Sequence, residues 1–147
     1  MSLNEKLLDD LKEAMKTKNA PRLSCLRMLK TALKNKQVEK GSPLDDREFE
    51  AVVSSMVRKG RESIEEFTKA GRLDLVQKES AEIEILHQYL PEQLTEEQIE
   101  EVVREVITEV GASSPKDLGR VMKSAMERLA GKAQGKDVNQ AAKKLLS

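Results

Sequence analysis

The stretch Thr95-Glu96-Glu97-Gln98-Ile99-Glu100-Glu101-Val102-Val103-Arg104-Glu105-Val106-Ile107-Thr108-Glu109-Val110-Gly111 decides the fold class. Its six β-branched apolar residues invite a strand, because Val and Ile favour extended backbone. The spacing answers otherwise. From Ile99 the apolar positions follow at steps of three, one, three, one and three, which gathers all six on one helical face. Thr95 with Gln98 three residues later forms a capping pair, and Gly111 supplies the stop. If the most strand-like segment is helical, the chain is predicted to be all-α.

The same period runs outward in both directions. Towards the N-terminus, Ser2 and Glu5 open a helix with its stripe at Leu3, Leu7, Leu11 and Met15, widened by Leu8. Asn19 and Pro21 break it, and Leu23, Leu26, Leu29 or Met28, and Leu33 mark a second helix that closes at Gly41-Ser42-Pro43. Asp45 with Glu48 opens a third, carrying Phe49, Val52, Val53, Met56, Gly60, Ile64 and Phe67 up to Gly71. Asp74 is expected to cap a fourth, with Val76, Ala81, Ile83, Leu86 and Leu90, which stops at Pro91. The residue before a proline leaves helical backbone, so Tyr89-Leu90-Pro91 is the candidate hinge. Beyond Gly111, Ser114-Pro115 opens a sixth helix with Leu118, Val121, Met122, Ala125 and Leu129. A loop at Gly131–Gly135 and a cap at Asp137 precede a last short helix. The expected organisation is a four-helix N-terminal domain over 1–91 and a three-helix C-terminal domain over 92–147.

Composition agrees with this class and removes others. Of 147 residues, 35% are charged and 38% hydrophobic, while aromatics make up 2% and Trp is absent, which argues against strand-rich sandwiches and barrels. No apolar run reaches the ~18 residues of a membrane span, and no apolar signal core opens the chain. A cytoplasmic protein with no membrane association is therefore expected. One cysteine, Cys25, permits neither an internal disulfide nor a cysteine-based zinc site.

Twenty-six basic residues balance 26 acidic ones, so total charge offers no argument for nucleic acid. The distribution does. Residues 1–40 hold 10 basic and 5 acidic side chains, 41–81 hold 7 and 9, 82–110 hold 1 and 9, and 111–147 hold 8 and 3. The C-terminal excess includes Arg120 and Lys123, which share a helix face, and Lys132 and Lys136, which flank the loop bounded by Gly131 and Gly135. Lysine and arginine beside glycine backbone amides are a pattern suited to phosphate, and these six residues are the candidate RNA-binding set. The competing reading is that the charge runs merely solvate helix faces.

Catalytic chemistry finds no constellation. His87, the single histidine, lies beside the apolar face without a visible nucleophile or orienting partner, and is read as structural. Cys25 sits in a leucine stripe and is read as a buried thiol. Gly131-Lys132-Ala133-Gln134-Gly135-Lys136 fails as a P-loop: Ala130 stands where the first glycine belongs, Asp137 follows the lysine, and a helix precedes it instead of a strand. No metal-ligand spacing stands out. No catalytic residue, cofactor or metal is assigned, and the residues describe a binding module.

Four segments in order carry a family resemblance: Leu26-Arg27-Met28-Leu29-Lys30, Arg61-Glu62-Ser63-Ile64-Glu65-Glu66-Phe67 leading to Ala70-Gly71-Arg72-Leu73-Asp74-Leu75, Glu79-x-x-Glu82-Ile83 running into Tyr89-Leu90-Pro91, and Asp117-Leu118-Gly119-Arg120-Val121-Met122. Together they resemble the YqeY family over essentially the whole chain. The resemblance implies a two-part helical fold whose C-terminal part is similar to the tail domain of the GatB subunit of tRNA-dependent amidotransferase, an accessory to tRNA recognition. It also implies, by association, a carbon–nitrogen ligase activity with glutamine as amido-N-donor, or an amidase-type activity. The serine–lysine apparatus of amidases is absent, since Ser54-Ser55 lies in mid-helix. Gln134 replaces the Asp usual in the family's Gly-Lys-Ala-Asp-Gly stretch, and Gly60 stands where a larger polar residue is usual, pointing to a close helix contact. The expected function is an accessory module for tRNA or a tRNA-processing complex, with a protein-interaction adaptor as the alternative.

Overall fold

A computed structural model of the chain describes residues 2–147. Ser2 and Glu5 close a reciprocal cap, Glu5 N–H to Ser2 Oγ at 3.2 Å and Ser2 N–H to Glu5 Oε2 at 3.3 Å, and start α1 (Leu3–Lys16). The Asn19 side chain accepts from Arg22 N–H at the head of α2 (Ala20–Lys40), where Pro21 occupies the first turn that tolerates a missing donor. Gly41, at φ +83°, ends α2 in the left-handed conformation that side chains with a Cβ resist. Asp45 and Glu48 cap α3 (Asp46–Lys69) in the same reciprocal way as Ser2 and Glu5.

Two expected caps are displaced. In α4 (Leu73–His87) the cap position is Arg72, and Asp74 lies inside the first turn, where its carboxylate suits the helix dipole and pairs with Arg72 Nη2 at 3.0 Å. In α7 (Gly135–Leu146) the cap position is Gln134, so Asp137 falls one turn in and Gly135 is the first helical residue. An acidic residue in a first helical turn and one at a cap look alike in sequence, because both answer the same exposed amides.

Thr95 and Gln98 cap α5 (Glu96–Val110), and the β-branched stretch is helical throughout, with Gly111 ending it at φ +67°. A single 3-10 turn, Pro115–Asp117, leads into α6 (Leu118–Leu129). The described residues thus form seven α-helices and no strand. The chain is all-α.

The helices gather into two compact units, one ending at Leu90 and one spanning Pro91–Ser147. In the N-terminal unit α1 packs on α2 and α3 on α4, around a core of Leu7, Leu11, Leu26, Leu29, Phe49, Val53, Val57, Leu86 and Tyr89. Ala81, expected inside, is exposed, and Leu86 is the single buried residue of α4. Gly60 is the close contact expected. A Cβ there would lie 3.1 Å from Ile83 Cγ1, so α4 approaches α3 at the position without a side chain. The C-terminal unit packs α5 on α6 and α7 around Ile99, Val103, Val106, Val121, Ala125, Leu129, Val138 and Ala142.

Candidate functional site

The six-residue basic set is divided by its own helix. Arg120 and Lys123 lie in the first half of α6, whereas Gly131, Lys132, Gly135 and Lys136 follow its far end. Along α6 the end at Leu129 lies about 9 Å from Lys123 and about 14 Å from Arg120 at 1.5 Å per residue, so the set is spread along the helix. Arg120 is also occupied: Nη2 donates to Asp117 Oδ1 at 2.9 Å, and Nη1 donates to the Val110 carbonyl at 3.1 Å, closing the C-terminus of α5. The amides of Ser113 and Ser114 join Arg120 on Asp117, and these bonds hold its carboxyl below the usual range.

Gly131, at φ +80°, makes the turn after α6, but its carbonyl accepts from Gln93 Nε2 at 2.7 Å, and the Lys132 carbonyl accepts from Leu94 N–H at 2.9 Å. That loop is therefore built to hold the segment entering α5. Gly135 is helical and carries no left-handed turn, which removes it from a flexible phosphate loop.

Three of the six glutamates of α5 are paired with basic side chains. Glu100 binds Lys144 Nζ at 2.7 Å and Arg104 Nη2 at 3.8 Å, and Arg128 reaches Glu105 at 3.7 Å as well as Glu109. The hydrogen bond from Lys144 holds the Glu100 carboxyl below its ordinary value. Among the described residues, Lys116, Lys123, Lys132 and Lys143 of this unit stand exposed with no carboxylate within ion-pair distance.

Sequence reasoning missed a cavity in the other unit. A groove of about 780 Å³ opens in the N-terminal unit between α2 and the α3–α4 pair. Its apolar surface comes from Leu23, Met28, Met56, Ile83 and Leu86, with Arg27 on α2, Lys59 on α3 and Glu79 and Glu82 on α4. Two signals for it were present in the sequence, Gly60 in mid-helix and Met28 beside the leucine stripe, but neither says that α2 diverges from its neighbours.

Cys25 is buried at 2% exposure, and burial pushes its thiol up to about 11, so it stays protonated and unreactive. His87 is exposed on the last turn of α4, not packed in the apolar face; partial burial of the ring, and then Arg61, hold its pKa below the ordinary value. Tyr89 of the expected hinge is a core residue. Its ring stacks on Phe49 with centroids 5.9 Å apart, Lys6 Nζ sits 4.8 Å above it, and its hydroxyl donates to Asp10.

The model of the Yqey-like protein family matches residues 4–146. The chain belongs to the YqeY family. Similar curated proteins are the mitochondrial proteins called altered inheritance of mitochondria protein 41. The one from Lachancea thermotolerans is 40% identical over 85 residues, which is 57% of this chain and 46% of that protein. That from Eremothecium gossypii is 39% identical over 85 residues, with the same shares, and that from Candida glabrata 35% over 88, covering 58% and 48%. This YqeY-family chain thus spans about half the length of the curated relatives it matches. The expected cytoplasmic location is corrected by these names, each of which says mitochondrial. The error lay in equating address with an apolar segment, whereas mitochondrial targeting segments are amphipathic and basic.

Proposed function

We propose that this YqeY-family chain is an accessory binding module for tRNA, or for a complex that handles tRNA, and has no catalytic chemistry of its own. The observation that carries the reading is the set of unpaired lysines on the C-terminal unit, Lys123 and Lys132 foremost, which stand apart from the pairs that Glu100, Glu105 and Glu109 of α5 make. Lysines are point charges that meet phosphate without reading bases, and with a single Tyr and no Trp there is little for bases to stack on. The resemblance of this part to the GatB tail points to tRNA as the polyanion. Arg120 and Arg128 belong to the scaffold, because their guanidinium groups are spent on carboxylates and a helix end.

The test is tRNA binding by fluorescence anisotropy across a salt series. Each lysine that meets a phosphate contributes about 1 to the slope of log affinity against log salt, so Lys123→Ala with Lys132→Ala is expected to lower the slope by about 2. An unchanged slope, or no binding at low salt, overturns the reading.

A further inference from the structure

The groove between α2 and the α3–α4 pair has the shape of a helix site and a charge pattern to match. Its lining runs along α2 from Ala20 to Asn35, about 22 Å at 1.5 Å per residue, and it is open along that length. A cavity for a metabolite encloses its ligand. This trough leaves one side free, as grooves that receive an amphipathic helix do. Met28, 55% exposed, and Met56 supply adaptable thioether surface, the residue type that moulds to apolar side chains from another protein.

The lining carries both signs, with the carboxylates confined to α4. Arg27 on α2 and Lys59 on α3 line the groove as its cations. On α4, Glu79 and Glu82 are half-buried, three residues apart, and face the groove. Among the described residues none of these four groove charges has an opposite charge within ion-pair distance, although ion pairs are frequent elsewhere in the chain. Burial, and then Glu79, push the Glu82 carboxyl up, with Lys78 one turn back on α4 offsetting part of the effect.

We infer that this groove docks an amphipathic α-helix of a partner protein, with an apolar stripe on the floor, acidic residues against Arg27 and basic residues against Glu79 and Glu82. The inference stands apart from the RNA reading, which concerns other residues on the other unit. A nucleic acid does not satisfy it, because phosphates suit α2 and are repelled by α4. A uniformly charged helix satisfies one sign of the lining only.

The test uses the full chain and three labelled helical peptides of about 16 residues, matched to the groove's length. All have leucines at i, i+3, i+4 and i+7; one has glutamates on one flank and arginines on the other, one is acidic on both flanks, and one is basic on both. The mixed peptide is expected to bind tightest in fluorescence anisotropy, and to shift amide signals of α2 and α4 in NMR. Reversing the anionic wall with Glu79→Lys and Glu82→Lys should weaken the mixed peptide about tenfold and make the doubly acidic one the best ligand. Thr31→Trp, at an exposed position of the groove, should weaken all three without changing the circular dichroism spectrum. Equal affinity of the three peptides, no binding, displacement by tRNA, or a chain dimer that occupies the groove would each overturn the proposal.

Discussion

The two units solve the same packing problem with opposite economies of charge. In the C-terminal unit a core of Val, Ile, Leu and Ala is wrapped by ion pairs that cross from α5 to α6 and α7. In the N-terminal unit a core anchored by Phe49 and Tyr89 leaves the groove charges unpaired. Every large hydrophobic residue recorded as exposed, Leu8, Met15, Met28, Val38 and Leu73, belongs to this second group. The lesson is that net charge by segment marks a binding surface poorly. Of the nine acidic residues in 82–110, Glu100, Glu105 and Glu109 are paired inside the C-terminal unit, while Glu82 belongs to α4 of the other unit, where it and Glu79 line the groove with no cation among the described residues within ion-pair distance.

The comparison breaks most severely at the aromatic anchor. Phe49→Ala removes a ring that is 1% exposed, and such truncations cost about 3–5 kcal/mol. Thermal unfolding followed by amide signals of α1–α4 should show the loss. An unchanged midpoint would mean that the leucine stripes hold the N-terminal unit by themselves.

A smaller effect is expected at Tyr89. Its hydroxyl ties the end of α4 to Asp10 on α1, and Asp10 pairs with Arg22 Nη2 at 3.4 Å. Tyr89→Phe keeps the stacking on Phe49 and loses this bond, at a cost of about 1–2 kcal/mol in denaturant unfolding. A cost near that of Phe49→Ala would shift the anchor from packing to the polar chain.

The smallest effect sharpens the charge contrast. Glu100, with a side chain 11% exposed, holds Lys144 and Arg104. Its carboxyl is held below the ordinary value of 4.5, so the pairing contributes stability above that range and loses it as pH falls through the lowered value. Glu100→Gln should therefore lower the unfolding temperature at neutral pH, and the gap from the parent chain should vanish in acid. A gap that persists below the carboxylate range would show that shape, not charge, matters at this position.

Much of this architecture is legible in sequence because helices announce themselves locally. Ser2 with Glu5, Asp45 with Glu48 and Thr95 with Gln98 cap the helices they were expected to cap, since each reciprocal pair lies within one turn. Asp74 and Asp137 misled because an acid one turn inside a helix satisfies the same dipole. The candidate RNA set was assembled from nearness along the chain, and α6 spreads it over its whole length. Arg120 has the right charge but a prior engagement with Asp117 and the Val110 carbonyl, neither of which spacing reveals.

By itself, then, the order of residues determined the helical class, the family and most of the apolar stripes, because these depend on a 3.6-residue period and on neighbours within a turn, although Met15, Leu8 and Ala81 of the expected stripes are exposed. Only the tertiary structure decided which charges cancel, where Tyr89 plugs the core, and that α2 stands off from α3 and α4 to leave a groove. Those outcomes depend on side chains far apart in sequence. Lys144 meets Glu100 across 44 positions, and Ile83 fills the space that Gly60 leaves open.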